Sequence, residues 1–489
     1  MPNDRIFVSS GNPAGLPYPR PPATANGHRG PQHAAGRTKV DYKDVKALRE
    51  EVSPTLAARL AGEPDTSEPY RRVIGEEIAQ AAVERWINRK LEAGVPQSPA
   101  YEHALLDAVL ADMFGVGRFQ PLVEDPDLEN AMVKGHDQVR LEYADGRVEY
   151  GDPVADSDEE LVDFLRHLAR RGGMTERSLS TARPMLNMRL PGGSRLAALY
   201  DVTPRPVVVI RRHRTRDVDL DELVRLGMID PLLHAYLKAI MAAHLNVMIV
   251  GLPGAGKTTL LRAMASEVPP GEWWATLEQE FEVHLHETGR HPWVVPIEAR
   301  EGYGERGPDG RPVGEIAISD LIPQMLRLSM TRFMVGEVRS DEIVPMLETM
   351  GTCRGSLCTM HARSPESVFE RIVELALRYG PSMTTTLAYQ MAASALDYIV
   401  YVEMVDETAI GGRRHRFVSH VLEIEGVREG LSPSRTTVFA PGPDGRAVPT
   451  GHRPHRTADA LARAGFDQRL LDHRAGLWSG PLGTVLGRA

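Results

Sequence analysis

NVMIVGLPGAGKTTL, residues 246–260, reads as a strand, a tight loop and the start of a helix in unbroken succession. After Asn246 the run Val247 to Val250 is short, apolar and bounded, as a buried strand is. Glycines at 251, 254 and 256 let the chain turn so that backbone N–H groups face inward, and Thr258 to Ala265 carries helix-forming residues. The partial positive charge of a helix N-terminus adds to those amides, so phosphate is held without large side chains. Gly251 to Thr258 matches G-x-x-x-x-G-K-[ST] without a gap. In such a Walker A loop Lys257 puts a point charge on the β- and γ-phosphates, and the Thr258 hydroxyl stands ready to ligate the Mg2+ that bridges them. The expected cradle for ATP with Mg2+ is therefore Gly251, Pro253, Gly254, Ala255, Gly256, Lys257, Thr258 and Thr259.

A phosphate loop alone binds; hydrolysis needs a group that orients water and another that holds the metal. TLEQEFE, residues 276–282, follows an apolar stretch downstream of the loop, and FMVGE, residues 333–337, is a buried-type strand ending in a carboxylate. In a parallel sheet both strand ends lie at the carboxyl edge, beside the phosphate loop. Glu278, Glu282 and Glu337 are the candidates there, with Glu337 also a metal candidate through water.

Outward from this centre the texture changes. Residues 1–40 are rich in proline and glycine, too poor in apolar surface to offset the entropy of ordering, and read as a disordered tail. Residues 41–120 read as helical: Val73, Ile74, Ile78, Ala81, Ala82 and Trp86 share one helical face, and a second amphipathic run covers Tyr101 to Met113. Strand-like pieces at Val139 to Tyr143 and Val207 to Ile210, with a helix over Asp158 to Arg170, mark an α+β domain at 121–215. Residues 216–395 alternate helix and strand, the order of a mostly parallel sheet covered on both faces. A strand-rich and helical subdomain is expected at 396–489.

Bulk properties narrow the class. Of 489 residues 42% are hydrophobic, enough for sizeable cores, and the net charge of −9 disfavours a general nucleic-acid coat. Two cysteines rule out a disulfide framework and suit a reducing compartment. With neither a leader pattern nor a long apolar run in view, the expected location is cytoplasmic, with peripheral attachment to the cytoplasmic membrane through partners.

The ordered set of motifs resembles the type II/type IV secretion ATPase family, in particular its CpaF-like branch serving tight-adherence (Flp-type) pili, from about Leu105 to Glu425. Gly115 to Pro126 looks like the entry to that family's N-terminal domain. Leu190 to Arg195 and Val209 to Arg212 look like its arginine-bearing strands. Thr276 to Glu282 resembles an Asp box, Gly336 to Arg339 a Gly-Glu variant of Walker B, and Gly355 to Ala362 a His box. The resemblance implies a RecA-like P-loop ATPase core with a preceding α+β (PAS-like) domain and an N-terminal helical extension. It further implies a homo-oligomeric ring of six subunits that docks on inner-membrane platform proteins, powers pilus assembly or protein secretion, and handles no nucleic acid directly. Carried onto this sequence, Glu278 polarises water, Glu337 holds the Mg2+ shell with Glu282 in support, and His361 completes the set. Arg195, Arg211 and Arg212 reach the phosphates, where guanidinium forks neutralise the charge of the transferred phosphoryl.

Three departures stand out. Gln279 replaces the usual Asp of the Asp box, Met330-Thr331 replaces Pro-Asp before the Walker B strand, and Gly351-Thr352-Cys353 replaces Thr-Gly-His. A cysteine in place of a γ-phosphate-sensing histidine removes a cation and leaves a weak donor. The alternatives are thus an ATP-binding assembly subunit with weak hydrolysis, or a RecA-type nucleic-acid motor, which the acidic balance and 6% aromatic content disfavour. Cys353, Cys358 and His361 lack a fourth ligand for zinc. His284 and His286 share a face if the chain there is a strand.

Overall fold

The computed structural model describes residues 38–62, 67–171, 179–212, 218–300, 302–308, 310–427 and 432–485. The tail expected at 1–40 lies outside the described residues as far as residue 37. The chain divides into two compact units, one ending at Met113 and the other beginning at Phe114.

The first unit is built from helices Tyr42–Leu60, Glu68–Glu92 and Pro99–Phe114. Asp41 caps the first, accepting from the Lys43 N–H, and its buried stripe Val45, Leu48, Val52, Leu56 keeps the helical period. The buried face of the second helix is Gly75, Ala79, Ala82, Val83 and Trp86, while Val73, which the periodicity had placed inward, is 63% exposed. Of the other residues expected on that face, Ala82 and Trp86 are buried, Ile74 and Ile78 are half-buried, and Ala81 is exposed.

In the second unit, six antiparallel strands form one sheet in the order β3-β2-β1-β6-β5-β4. They are β1 (Leu128–Lys134), β2 (Gln138–Tyr143), β3 (Val148–Gly151), β4 (Met185–Arg189), β5 (Arg195–Leu199) and β6 (Val207–Arg211). Helix Asp158–Arg171 lays Leu161, Leu165 and Leu168 into the same cluster as Val133, Leu196 and Ile210. The register sets Arg189 opposite Arg195 and Arg195 opposite Arg211, so three arginines stand abreast on neighbouring strands.

The other sheet has nine strands in the order β17-β16-β15-β14-β7-β13-β12-β8-β9. β7 (Val247–Gly251), β8 (Trp274–Glu278), β9 (Val294–Glu298), β12 (Phe333–Val338), β13 (Leu357–His361) and β14 (Tyr398–Asp406) run parallel. A separate hairpin, β10 (Tyr303–Arg306) and β11 (Pro312–Val313), interrupts the order. β15 (Arg414–Gly426), β16 (Ser434–Pro441) and β17 (Ala447–Pro449) continue the same sheet antiparallel, so the strands read at 396–489 extend the central sheet.

Alternation along β7 explains the two-sided core. Val247 and Ile249 join Tyr236 and Leu261 on one face; Met248 and Val250 join Val344, Phe369 and Ala392 on the other. Each Val, Leu, Ile, Met or Phe among them is worth roughly 1.5–3 kcal/mol when fully buried. At the amino edge, buried Asn246 donates to the carbonyls of Met350 and Ala395 at 2.8 and 2.7 Å and accepts from the Ser356 N–H at 2.9 Å. That edge is therefore closed, and the phosphate-loop motif leaves β7 at the opposite, carboxyl edge. No helix of the described residues is long and apolar enough to cross a membrane.

Candidate functional site

Every residue of β7 is buried, and Gly251 ends it where a side chain has no room: an added Cβ would lie 2.3 Å from the Val402 carbonyl oxygen. Gly254 and Gly256 adopt φ of 75° and 100°, which glycine reaches without penalty. Lys257 opens helix Lys257–Ala265, with Thr258 and Thr259 in its first turn. The Lys257 amine donates to the Leu252 carbonyl at 3.1 Å and lies 3.0 Å from His361 Nδ1. Burial pushes that amine down to about 8, against the pull of Glu337 and with the push of Arg211.

The carboxylates converge on the same place. β13 ends at His361 and β12 brings Glu337 beside it, with His361 Nε2 at 2.7 Å from Glu337 Oε1. His361 Nδ1 also lies 3.4 Å from the Gly251 carbonyl, so the ring bridges Glu337 and the start of the phosphate loop. Arg339 holds the other Glu337 oxygen at 2.6 Å. Burial alone raises the Glu337 carboxyl, but these two partners outweigh it and bring it down to about 2. Glu278, at the end of neighbouring β8, lines the same narrow cleft as Glu337 and Gly336. Its Oε2 accepts from the N–H groups of Glu282 and Val283, each at 2.7 Å, while its buried Oε1 has no hydrogen-bond partner among the described residues. Burial pushes this carboxyl up to about 7, despite the Val283 N–H and the nearby Arg262 and Arg195 charges.

The six-stranded sheet delivers the arginines. Arg195 pairs with both Glu280 and Glu282. Arg211 is exposed at the end of β6, close enough to depress the Lys257 amine. Arg212 follows it, its backbone N–H donating to the Glu129 carbonyl at 2.9 Å. The third member of the arginine row, Arg189, reaches Glu287 at 2.6 Å and His284 Nδ1 at 3.0 Å.

Two expectations change. His284 has a left-handed φ of 53° and opens the short turn Leu285–Glu287, so His284 and His286 are not on a strand. His284, His286 and Glu287 bring one ligand atom each within 4.8 Å of one another, yet the Arg189 guanidinium already supplies the cation there. Burial, then Arg189, takes the His284 ring down to about 4, which leaves it neutral near pH 7. Cys353 lies before β13, at the amino edge, its thiol 3.4 Å from the Met330 carbonyl and its own carbonyl accepting from Ser356. β13 runs from there to His361, so Cys353 stands at the far end of that strand from Lys257.

Sequence reading missed four supporting residues. Arg416 of β15 donates to the Gly254 carbonyl at 2.8 Å and lies 3.5 Å from Glu129 of β1. Buried Arg262 donates to the Glu282 carbonyl, and Glu298 accepts from the Phe281 N–H at 3.0 Å. Glu280 was inside the quoted motif but was passed over for its neighbours. Only Glu280 carried a local signal; the others come from distant strands or a helix flank with no pattern of their own.

Residues 117–427 match the family described as Type II/IV secretion system protein. A Mycobacterium tuberculosis chain named for conjugal transfer is 30% identical over 334 residues, covering 66% of this chain and 89% of that one. The type IV secretion system protein PtlH of Bordetella pertussis is 26% identical over 283 residues, covering 53% and 80%. VirB11 of Agrobacterium fabrum is 24% identical over 311 residues, covering 57% and 85%.

Proposed function

The chain belongs to the type II/IV secretion system protein family and is an ATPase of that class, and on this premise we propose that it is a ring-forming motor whose ATP hydrolysis drives pilus assembly or protein secretion. The supporting observation is the relay Lys257–His361–Glu337 beside Glu278, faced by Arg195 and Arg211 from the other sheet. In this reading the loop amides and Lys257 grip the triphosphate. Arg211, close to the amine, neutralises the terminal phosphoryl, and Glu278 orients the attacking water through its unpaired oxygen. At a carboxyl near 7, a population of Glu278 is ionised and able to accept a hydrogen bond from that water. Thr258 and the ionised Glu337 are hard oxygen donors that suit Mg2+, which when bound supplies charge neutralisation at the β- and γ-phosphates.

Glu282 acts through Arg195 rather than on the metal in this arrangement. Six copies in a ring, attachment to membrane platform proteins and a cytoplasmic location follow from the same reading. Gln279, a neutral amide beside Glu278, is the one feature that favours the second reading, a subunit that binds ATP to assemble and hydrolyses it slowly.

Phosphate release and nucleotide binding, measured on wild type, Lys257→Ala and Glu337→Gln, separate the readings. The motor predicts lost binding in Lys257→Ala and retained binding with at least about 100-fold slower release in Glu337→Gln. Equal turnover in wild type and Glu337→Gln refutes the role given to Glu337.

A further inference from the structure

Three arginines opposite one another on adjacent strands repel, since directly opposed side chains sit about 5 Å apart at Cβ and like charges there destabilise. Arg189, Arg195 and Arg211 form such a row. Two are neutralised by the loop that follows β8: Arg189 by Glu287, and Arg195 by Glu280 with Glu282. For Arg211 no carboxylate partner is found among the described residues, and it is the one that faces Lys257.

We propose that Glu280 is a positioning residue that competes with the terminal phosphate for Arg195, holding the guanidinium on the loop until a triphosphate displaces the carboxylate. Glu280 lines the cleft with Glu278 and Glu337, and its charge also acts on Arg339, the partner of Glu337. It therefore stands where the anionic end of a nucleotide must come. Arg195 stands directly opposite Arg211 on the neighbouring strand. Glu282 is fixed by its backbone N–H on Glu278 and its carbonyl under Arg262, so it stays behind as the anchor when Arg195 moves. Glu280 has no such backbone tether among the described residues. In this proposal the exchange reports the γ-phosphate, the group that a diphosphate lacks.

This inference rests on the phosphate-loop reading, and the experiment keeps the two apart. The KM for ATP and the dissociation constants for ADP and a non-hydrolysable ATP analogue are measured for wild type, Glu280→Gln, Arg195→Ala and the double variant, with Lys257→Ala alongside. In Glu280→Gln Arg195 keeps only its Glu282 partner, so the weaker competition should lower the KM for ATP and tighten the analogue about three- to tenfold, leave ADP unchanged, and leave kcat no higher. In the Arg195→Ala background the same substitution should do nothing. An unchanged or weakened analogue affinity in Glu280→Gln, or an effect that persists without Arg195, overturns the competition. Should Glu280→Gln fail to fold, Arg195→Gln/Glu280→Gln, which faces two neutral amides, replaces it: its ratio of analogue to ADP affinity must equal that of Arg195→Gln alone, and a difference overturns the proposal. Retained nucleotide binding in Lys257→Ala would instead sink the phosphate-loop reading itself.

Discussion

Glu278 uses one oxygen to shape a loop and leaves the other without a hydrogen-bond partner among the described residues. Two backbone N–H groups fill Oε2, while Oε1 is buried without a partner, so the ionised form is poorly solvated and the carboxyl titrates at about 7. The sign of the linkage follows. The folded state keeps a proton that the unfolded chain has already lost above the ordinary carboxylate range, so this group's contribution to stability falls as pH rises from about 4.5 to 7. Glu278→Gln keeps an oxygen for the two N–H donors and removes the titration. Its melting temperature relative to wild type should therefore rise between pH 5 and pH 8, while phosphate release falls by about 100-fold or more. Melting curves at the two pH values check the first half and a turnover assay the second. A pH-independent difference in melting temperature would show that the carboxyl is not raised, and full turnover would remove Glu278 from the reaction.

At the scale of strands, the decisive device is the irregular register of β12 against β13 between Val335 and Val338. It turns Gly336 and Glu337 out of the regular ladder, so that Glu337 meets His361 while the Cα of Gly336 lies against Glu278. A Cβ added at Gly336 would stand 3.1 Å from the Glu278 Cγ, a tight contact that Glu278 must relieve by shifting a few tenths of an ångström. Gly336→Ala should push Glu278 aside and slow turnover about tenfold. Nucleotide affinity should hold, because the phosphate loop is on β7, beyond β13. Loss of affinity together with turnover would mean that the strands shift as a block.

The same strands show what the sequence could tell. β7 and its loop were legible because glycine spacing, Lys257 and an apolar run each constrain one short segment. β8 and β12 were legible as buried runs ending in glutamate. The bulge was not, because one glycine in a strand has several readings. Nor was the turn at His284, since a histidine at positive φ carries no residue signal and two residues in alternation mimic a strand. Cys353 was read by motif order, which ignores that a five-residue strand carries the chain from one edge of the sheet to the other. Arg416 and Glu129 meet across 287 positions, a separation no local pattern encodes.

For the second unit as a whole, the two sheets keep separate cores: among the described residues the cluster from Val116 to Ile210 shares no member with the two that flank the nine-stranded sheet. What joins them at the site is ionic. Arg189 and Arg195 cross to the loop after β8, and Arg414 and Arg416 of β15 reach back to Glu129. Ion pairs at a half-buried boundary are individually weak, salt-sensitive and exchangeable, whereas a fused apolar core would lock the sheets together. On the proposed motor reading, an arginine carried on one sheet and a phosphate held on the other would couple the relative position of the sheets to the anion present. This is how hydrolysis would be converted into rigid-body movement. Arg211 is the test of that conversion, because it faces Lys257 from the other sheet. Removing it relieves repulsion on the Lys257 amine, so Arg211→Ala should keep nucleotide affinity within about tenfold, roughly 1.4 kcal/mol. Turnover should fall much further, since the charge that develops on the transferred phosphoryl loses its partner. Titration with a non-hydrolysable analogue and single-turnover phosphate release measure the two quantities. Equal losses in both would make Arg211 a binding residue only, and the coupling would then have to run through Arg195 and Glu280.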